Sequence, residues 1–140
     1  MRAEALGKGS IVFFDNEVHW VLAILLPDEE SLVVLQNQKQ EEIVVNINLI
    51  RGVYLNPIWM KRLGFSYRVA GIGGQDQWAG YGTWEHEEAK IYFHGHKKIS
   101  DTLPLFYGRN REFRFEFVHE VQNLYLALKK EEIKTTNETT

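Results

Sequence analysis

Cysteine is absent from this chain of 140 residues, which excludes disulfides, thiolate metal sites and cysteine nucleophiles, and is compatible with a reducing compartment. Proline is scarce, with three residues. Long apolar runs are missing as well: the longest, Val21 to Pro27, falls far short of the roughly 20 residues a membrane-spanning helix needs. No apolar signal-type segment stands at the N-terminus, and the expectation is a soluble, cytoplasmic protein. Neither sign of charge dominates. Sixteen Lys and Arg oppose nineteen Asp and Glu, for a net charge of -3, so attraction to nucleic acid or an anionic membrane would need a local basic patch. Asn137-Glu138-Thr139 matches a glycosylation sequon, which without a secretory context is a chance match.

Recognisable catalytic patterns are also lacking. None of the four serines has a nucleophile-elbow context. The carboxylate pairs Glu29-Glu30, Glu41-Glu42, Glu87-Glu88 and Glu131-Glu132 sit in polar surroundings, where nothing would raise a pKa for acid catalysis. His94-Gly95-His96 would place both imidazoles on one face of a strand, but a third metal ligand is missing nearby and the glycine reads better as a hairpin turn with His96-Lys97-Lys98. "GIGGQ" at 71–75 lacks the following helix that a dinucleotide fingerprint requires. The chain is therefore expected to be non-enzymatic, with no metal and no cofactor.

What is present is an apolar content of 44% with 13% aromatic residues, enough for one ring-rich core at this length. Residues 1–55 have β character. Ile11 to Phe14, Val18 to Leu26, Leu32 to Leu35, Ile43 to Ile47 and Leu49 to Val53 form short apolar runs separated by turn residues such as Asp15-Asn16-Glu17 and Pro27-Asp28, a pattern that suits a small SH3-like β-barrel. Residues 56–134 form an α+β subregion. Asn56-Pro57 opens a short helix that Gly64 closes, with Ile58 and Leu63 as its expected anchors. Phe65, Tyr67 and Val69 alternate with polar neighbours, Ala89 to His94 and Thr102 to Tyr107 follow as strands, and Glu112 to Phe117 alternates charge with Phe. The expected fold is α+β: the barrel, a short helix, a small antiparallel sheet and a C-terminal covering helix, with 135–140 as a disordered tail.

On a helical wheel, Phe117, Val118, Val121, Leu124, Tyr125 and Leu128 fall within an arc of about 120° that should face the core. His119, Gln122, Asn123 and Lys130 lie opposite, with Leu126 among them as a lone apolar residue. A protein-interface role is assigned to His119, Asn123 and Leu126. The stretch "VHEVQNLYLALKKEEI" at 118–133 resembles the end of a family of small uncharacterised proteins of bacterial phages and integrated mobile elements, many of which close on Val-His-x-Leu-Gln-Asn-Leu-Tyr-x-Ala-Leu followed by Thr-Gly-Glu-Glu-Leu. The matching positions are Val118, His119, Gln122, Asn123, Leu124, Tyr125, Ala127, Leu128, Glu131 and Glu132. Weaker likeness continues at Asn56-Pro57-Ile58, Leu63-Gly64-Phe65 and the opening "LGKGSIVFF". Lys129-Lys130 stands where the family has Thr-Gly, which implies a longer helix here. The resemblance implies no activity and no functional residue.

Two stretches suggest binding. "GIGGQDQWAGYGTW" at 71–84 sets Trp78, Tyr81 and Trp84 among five glycines, and "FYGRNREFRF" at 106–115 interleaves Arg109, Arg111 and Arg114 with aromatic rings. Arginine beside aromatic rings is the chemistry of base stacking combined with phosphate pairing. Those six residues are assigned to a surface for a nucleotide or single-stranded nucleic acid. The alternative is a structural or protein-interaction module that acts through the outer face of the last helix or by self-association as a homo-oligomer.

Overall fold

Asp15 and Asn16 both adopt the left-handed region, with φ of 52° and 60°, the geometry that matches a two-residue turn to the twist of a β-hairpin. Strands β1 (Ile11–Phe14) and β2 (Glu17–Ile24) flank it. Leu32–Gln36 forms β3, Glu42–Asn46 forms β4 and Arg51–Gly52 forms β5. The computed structural model describes residues 6–25, 31–69, 81–100 and 102–136. Within them the five strands make one antiparallel sheet in the order β4-β3-β2-β1-β5, with a register shift in β2 between Val21 and Ala23. No pairing joins β4 to β5 among the described residues. Where a strand is expected to run on through Ile47, the Asn46 side chain accepts the Asn48 N–H at 2.8 Å and starts a 3-10 turn over Ile47–Leu49.

The Asn56 carboxamide caps α1 (Pro57–Arg62) by accepting the Trp59 N–H at 2.9 Å, and Gly64 ends it with φ of +91°. Leu63 is buried as expected, but Ile58 is exposed, and Trp59 and Met60 dock the helix instead. Their neighbouring positions point into the protein because the chain enters the helix from Val53 and Leu55, which are themselves buried. A second antiparallel meander follows: β6 (Ser66–Val69), β7 (Tyr81–His86), β8 (Ile91–His96), β9 (Leu105–Tyr107) and β10 (Phe113–Phe115), in the order β10-β9-β8-β7-β6. His94-Gly95-His96 is not a hairpin turn. It lies within β8, where a Cβ on Gly95 would stand 2.5 Å from Leu105 Cδ2, so the glycine lets β9 approach rather than turning the chain.

Helix α2 (Val118–Lys129) closes the fold. Its first turn is stabilised by Glu120, whose Oε1 accepts the N–H groups of Glu116 and Phe117 at 2.8 Å, satisfying donors that a helix start leaves open. The buried face is rotated from the expected arc: Val118, His119, Val121 and Tyr125 are buried, Leu124 is partly so, and Leu128 is exposed. Gln122 explains the rotation. Its side chain accepts the Ile11 N–H at 2.8 Å and donates to the Gly9 carbonyl at 2.9 Å, which ties the helix to the start of β1 and turns His119 inward. Lys129-Lys130 does not prolong the helix. Lys130 takes the left-handed conformation at φ 61°, donates its N–H to the Leu126 carbonyl and ends the helix where a glycine would. Beyond it Ile133 is buried, and Thr136 donates to the Arg62 carbonyl at 2.8 Å while accepting from Arg62 Nε at 3.2 Å. Thr136 is thus tied to α1 rather than part of a disordered tail, and 137–140 lie outside the described residues.

The described residues form two apolar clusters. Val12, Val21, Val33, Leu35, Val45, Ile47 and Ile50 pack on one side of the first sheet. Ile11, Val53, Met60, Leu63, Trp84, Phe93, Leu105, Val118 and Val121 belong to the second, between the first sheet, the second sheet and both helices. Adjacent residues Ile11 and Val12 point to opposite clusters and both are fully buried, so β1 is the shared wall. Bonds from Leu55 N–H to the Glu116 carbonyl and from Val118 N–H to the Val53 carbonyl, each 2.8 Å, join the two halves.

Candidate ligand-binding face

Side chains alternate across a strand, and the register of the second sheet sorts them into two faces. One face holds Trp84, Ile91, Phe93 and Leu105 against the core. On the other, Arg68 is opposite Thr83, Thr83 opposite His94, His94 opposite Phe106, and Phe106 opposite Arg114. This single row crosses all five strands, roughly 19 Å at about 4.8 Å per strand. Beside it, Tyr81 is opposite His96 and Glu85 opposite Tyr92. The outward face therefore carries two arginines, two histidines and three aromatic rings.

The groups are ordered against one another. The Tyr81 ring meets His96 edge-on, with centroids 5.1 Å apart and planes at 90°. The Thr83 hydroxyl donates to Glu85 Oε2 at 3.1 Å, and Arg68 Nε approaches the same oxygen at 3.6 Å. Arg114 Nε pairs with Glu116 Oε1 at 2.9 Å. Both guanidinium groups stay largely exposed, so these pairs are weak and open to exchange for another anion.

Of the six residues assigned to ligand contact, the structure brings Tyr81 and Arg114 onto this face. Trp84 is not available to a ligand. It is only 1% exposed, points to the core, and donates its indole N–H to the His96 carbonyl at 3.1 Å; its place in the alternation, an odd number of residues from Tyr81, sends it inward. Arg109 and Arg111 lie in the exposed turn between β9 and β10, where Arg111 adopts φ of +56° and Glu112 accepts the Asn110 N–H at 2.9 Å. Of the three arginines here, Arg114 is paired with a carboxylate, that of Glu116. Trp78 and the glycine stretch at 71–75 lie outside the described residues. The face also contains Arg68, Tyr92, His94, His96 and Phe106, none of which the sequence reading assigned to it. The period-two pattern of "IYFHGH" was the available signal, obscured by taking Gly95 as a turn.

The interface residues divide likewise. Asn123 and Leu126 are exposed on α2, and both border an open groove of about 210 Å³ with Trp20 and Ile133. His119 is 5% exposed, stacks on Phe117 at 5.6 Å with planes 14° apart, and has a buried Nδ1 without a hydrogen-bond partner. Burial lowers its pKa from the usual histidine value, partly countered by the neighbouring Glu120 carboxylate. It is a neutral packing residue, not a contact for a partner.

No group of three or more His, Cys, Asp or Glu side chains among the described residues is placed to hold a metal ion, and no helix among them is long and apolar enough to cross a membrane. Compared with protein-family models, curated proteins and solved structures, the chain matches none of them.

Proposed function

We propose that this protein is a non-enzymatic accessory protein, of phage or mobile-element type and cytoplasmic, that binds a nucleotide or single-stranded nucleic acid on the outward face of its second sheet. The observation that carries this reading is the cross-strand row Arg68, Thr83, His94, Phe106, Arg114 with Tyr81, Tyr92 and His96 beside it. Rings standing on a rigid sheet can stack on bases without a loss of backbone freedom, and arginines at both ends of the row can pair with phosphates. The first five strands are read as an SH3-like barrel, supported by the position of β1 between β2 and β5, the irregularity in β2 and the 3-10 turn before β5.

Fluorescence anisotropy of labelled short single strands, with mononucleotides as competitors at low and high salt, tests the proposal and separates the two ligand sources. Tyr92→Ala should weaken binding by roughly 5- to 150-fold, the equivalent of about 1 to 3 kcal/mol for one stacked base. Arg114→Ala should flatten the salt dependence. Absence of binding to any strand or mononucleotide at millimolar concentration in low salt would reject this function in favour of the protein-interaction alternative at Asn123 and Leu126.

A further inference from the structure

The first sheet ends on β4, and no described strand pairs with its outer side. Hydrogen-bond parity shows which groups are left there. Asn37 N–H donates to the Glu41 carbonyl and Ile47 N–H to the Ser31 carbonyl, each at 3.0 Å, while the register pairs Leu35 with Ile43 and Val33 with Val45. Odd-numbered residues of β4 therefore bond β3, and the backbone groups of Glu42, Val44 and Asn46 point outward from the edge, since successive residues of an antiparallel strand bond to opposite sides. Apart from Glu42 at its start the edge is weakly defended, with no proline, no lysine and no bulge within β4. Its apolar side chains are in water instead, Ile43 at 43% and Val44 at 53% exposure.

We propose that the partner of this edge is a second copy of the chain, with the two β4 strands antiparallel about a twofold axis through Val44. In that register the three outward residues all find partners: Val44 bonds Val44 of the second copy, and Glu42 bonds Asn46 in both directions. Ile43 then faces Val45 of the second copy on the side of Leu35 and Val33, extending the first apolar cluster across the axis. Charge selects the same register. An axis through residue 42 would set two carboxylates face to face, whereas the axis through Val44 sets each against a neutral carboxamide. The two sheets become one continuous sheet, and the unpaired edge disappears.

Sedimentation and native mass measurements from micromolar to several hundred micromolar test this. The wild-type chain should show a concentration-dependent dimer. Val44→Lys puts two ammonium groups in direct opposition and should leave a monomer with unchanged melting, because that side chain is exposed in the single chain. Asn46→Asp keeps the oxygen that accepts the Asn48 N–H but faces Glu42 of the second copy with a carboxylate. It should raise the dimer dissociation constant roughly tenfold, from two unfavourable cross-strand pairs. Adding Glu42→Lys to Asn46→Asp should restore or tighten the dimer. A wild-type monomer throughout the range, a dimer that survives Val44→Lys, or an Asn46→Asp effect that Glu42→Lys fails to reverse would each overturn the proposal.

Discussion

The two sheets have the same number of strands and the same antiparallel sense, yet they meet water differently. The first sheet is walled in where β1 lies: Ile11 serves one cluster and Val12 the other, and its apolar exposure is concentrated at the β4 edge. The second sheet buries one face under the helices and β1, and leaves the other carrying Arg68, Tyr81, Tyr92, His94 and Arg114. The difference teaches where interactions can be sought. The first sheet is packed on both faces only around β1, and at β4 it offers an edge of backbone hydrogen-bonding groups, whereas the second sheet, covered on one side, offers a surface of side chains.

Removing α2 should break the distinction altogether. Truncation after Phe117 takes away Val118, Val121, Tyr125 and Ile133 from the shared core, together with the Gln122 bonds to β1. Each buried apolar side chain is worth about 1.5 to 3 kcal/mol against a total stability of about 5 to 15. Cooperative unfolding should be lost, as calorimetry would show; a sharp transition near the parent temperature would mean that the sheets hold together without the helix.

Substitution on the two faces of the second sheet sharpens the contrast. Trp84→Ala should cost about 3 to 5 kcal/mol in denaturant unfolding because it empties a core position, while Tyr92→Ala should change stability by less than about 0.5. Equal losses from the two would show that the outward face is also packed. Gly95→Ala should be intermediate, about 1 to 3 kcal/mol, since its methyl group would press on Leu105. A neutral result in urea melts would show that β9 can draw back.

The pH dependence follows from His119. Its folded pKa lies below the unfolded value near 6.5 because burial disfavours the imidazolium. The unfolded chain therefore takes up the proton first. This contribution to stability is fully present above about pH 6.5 and is lost as pH falls from there toward the folded pKa. Melting temperature should decline between pH 7 and 5.5, and His119→Phe should flatten that decline; an unchanged slope would place the titration elsewhere. The smallest effect is expected at Leu126, which stands in water on α2. Leu126→Ser should shift stability by less than about 0.5 kcal/mol, and a change in mass with unchanged melting would transfer the self-association from β4 to the helix.

Where the cause is local, the sequence was sufficient. Asp15-Asn16 tolerates positive φ, Asn56 can cap three residues ahead, Pro57 suits a first turn, and Gly64 closes it; each depends only on near neighbours. The α+β character, the short strands and the covering helix were legible for the same reason, as periodicity records that one face is buried. Which face, and against what, was decided by tertiary structure. Trp59 rather than Ile58 docks α1, and Trp84 turns inward while Tyr81 turns out. Gln122 reaches β1 across more than a hundred residues of sequence to rotate α2, and Gly95 sits in a strand because Leu105 needs its space. Lys130 accepts a left-handed backbone without glycine, and Thr136 is held by Arg62. These outcomes depend on packing between segments distant in the chain, whose free energies of a few kcal/mol exceed the tenths that separate one local preference from another.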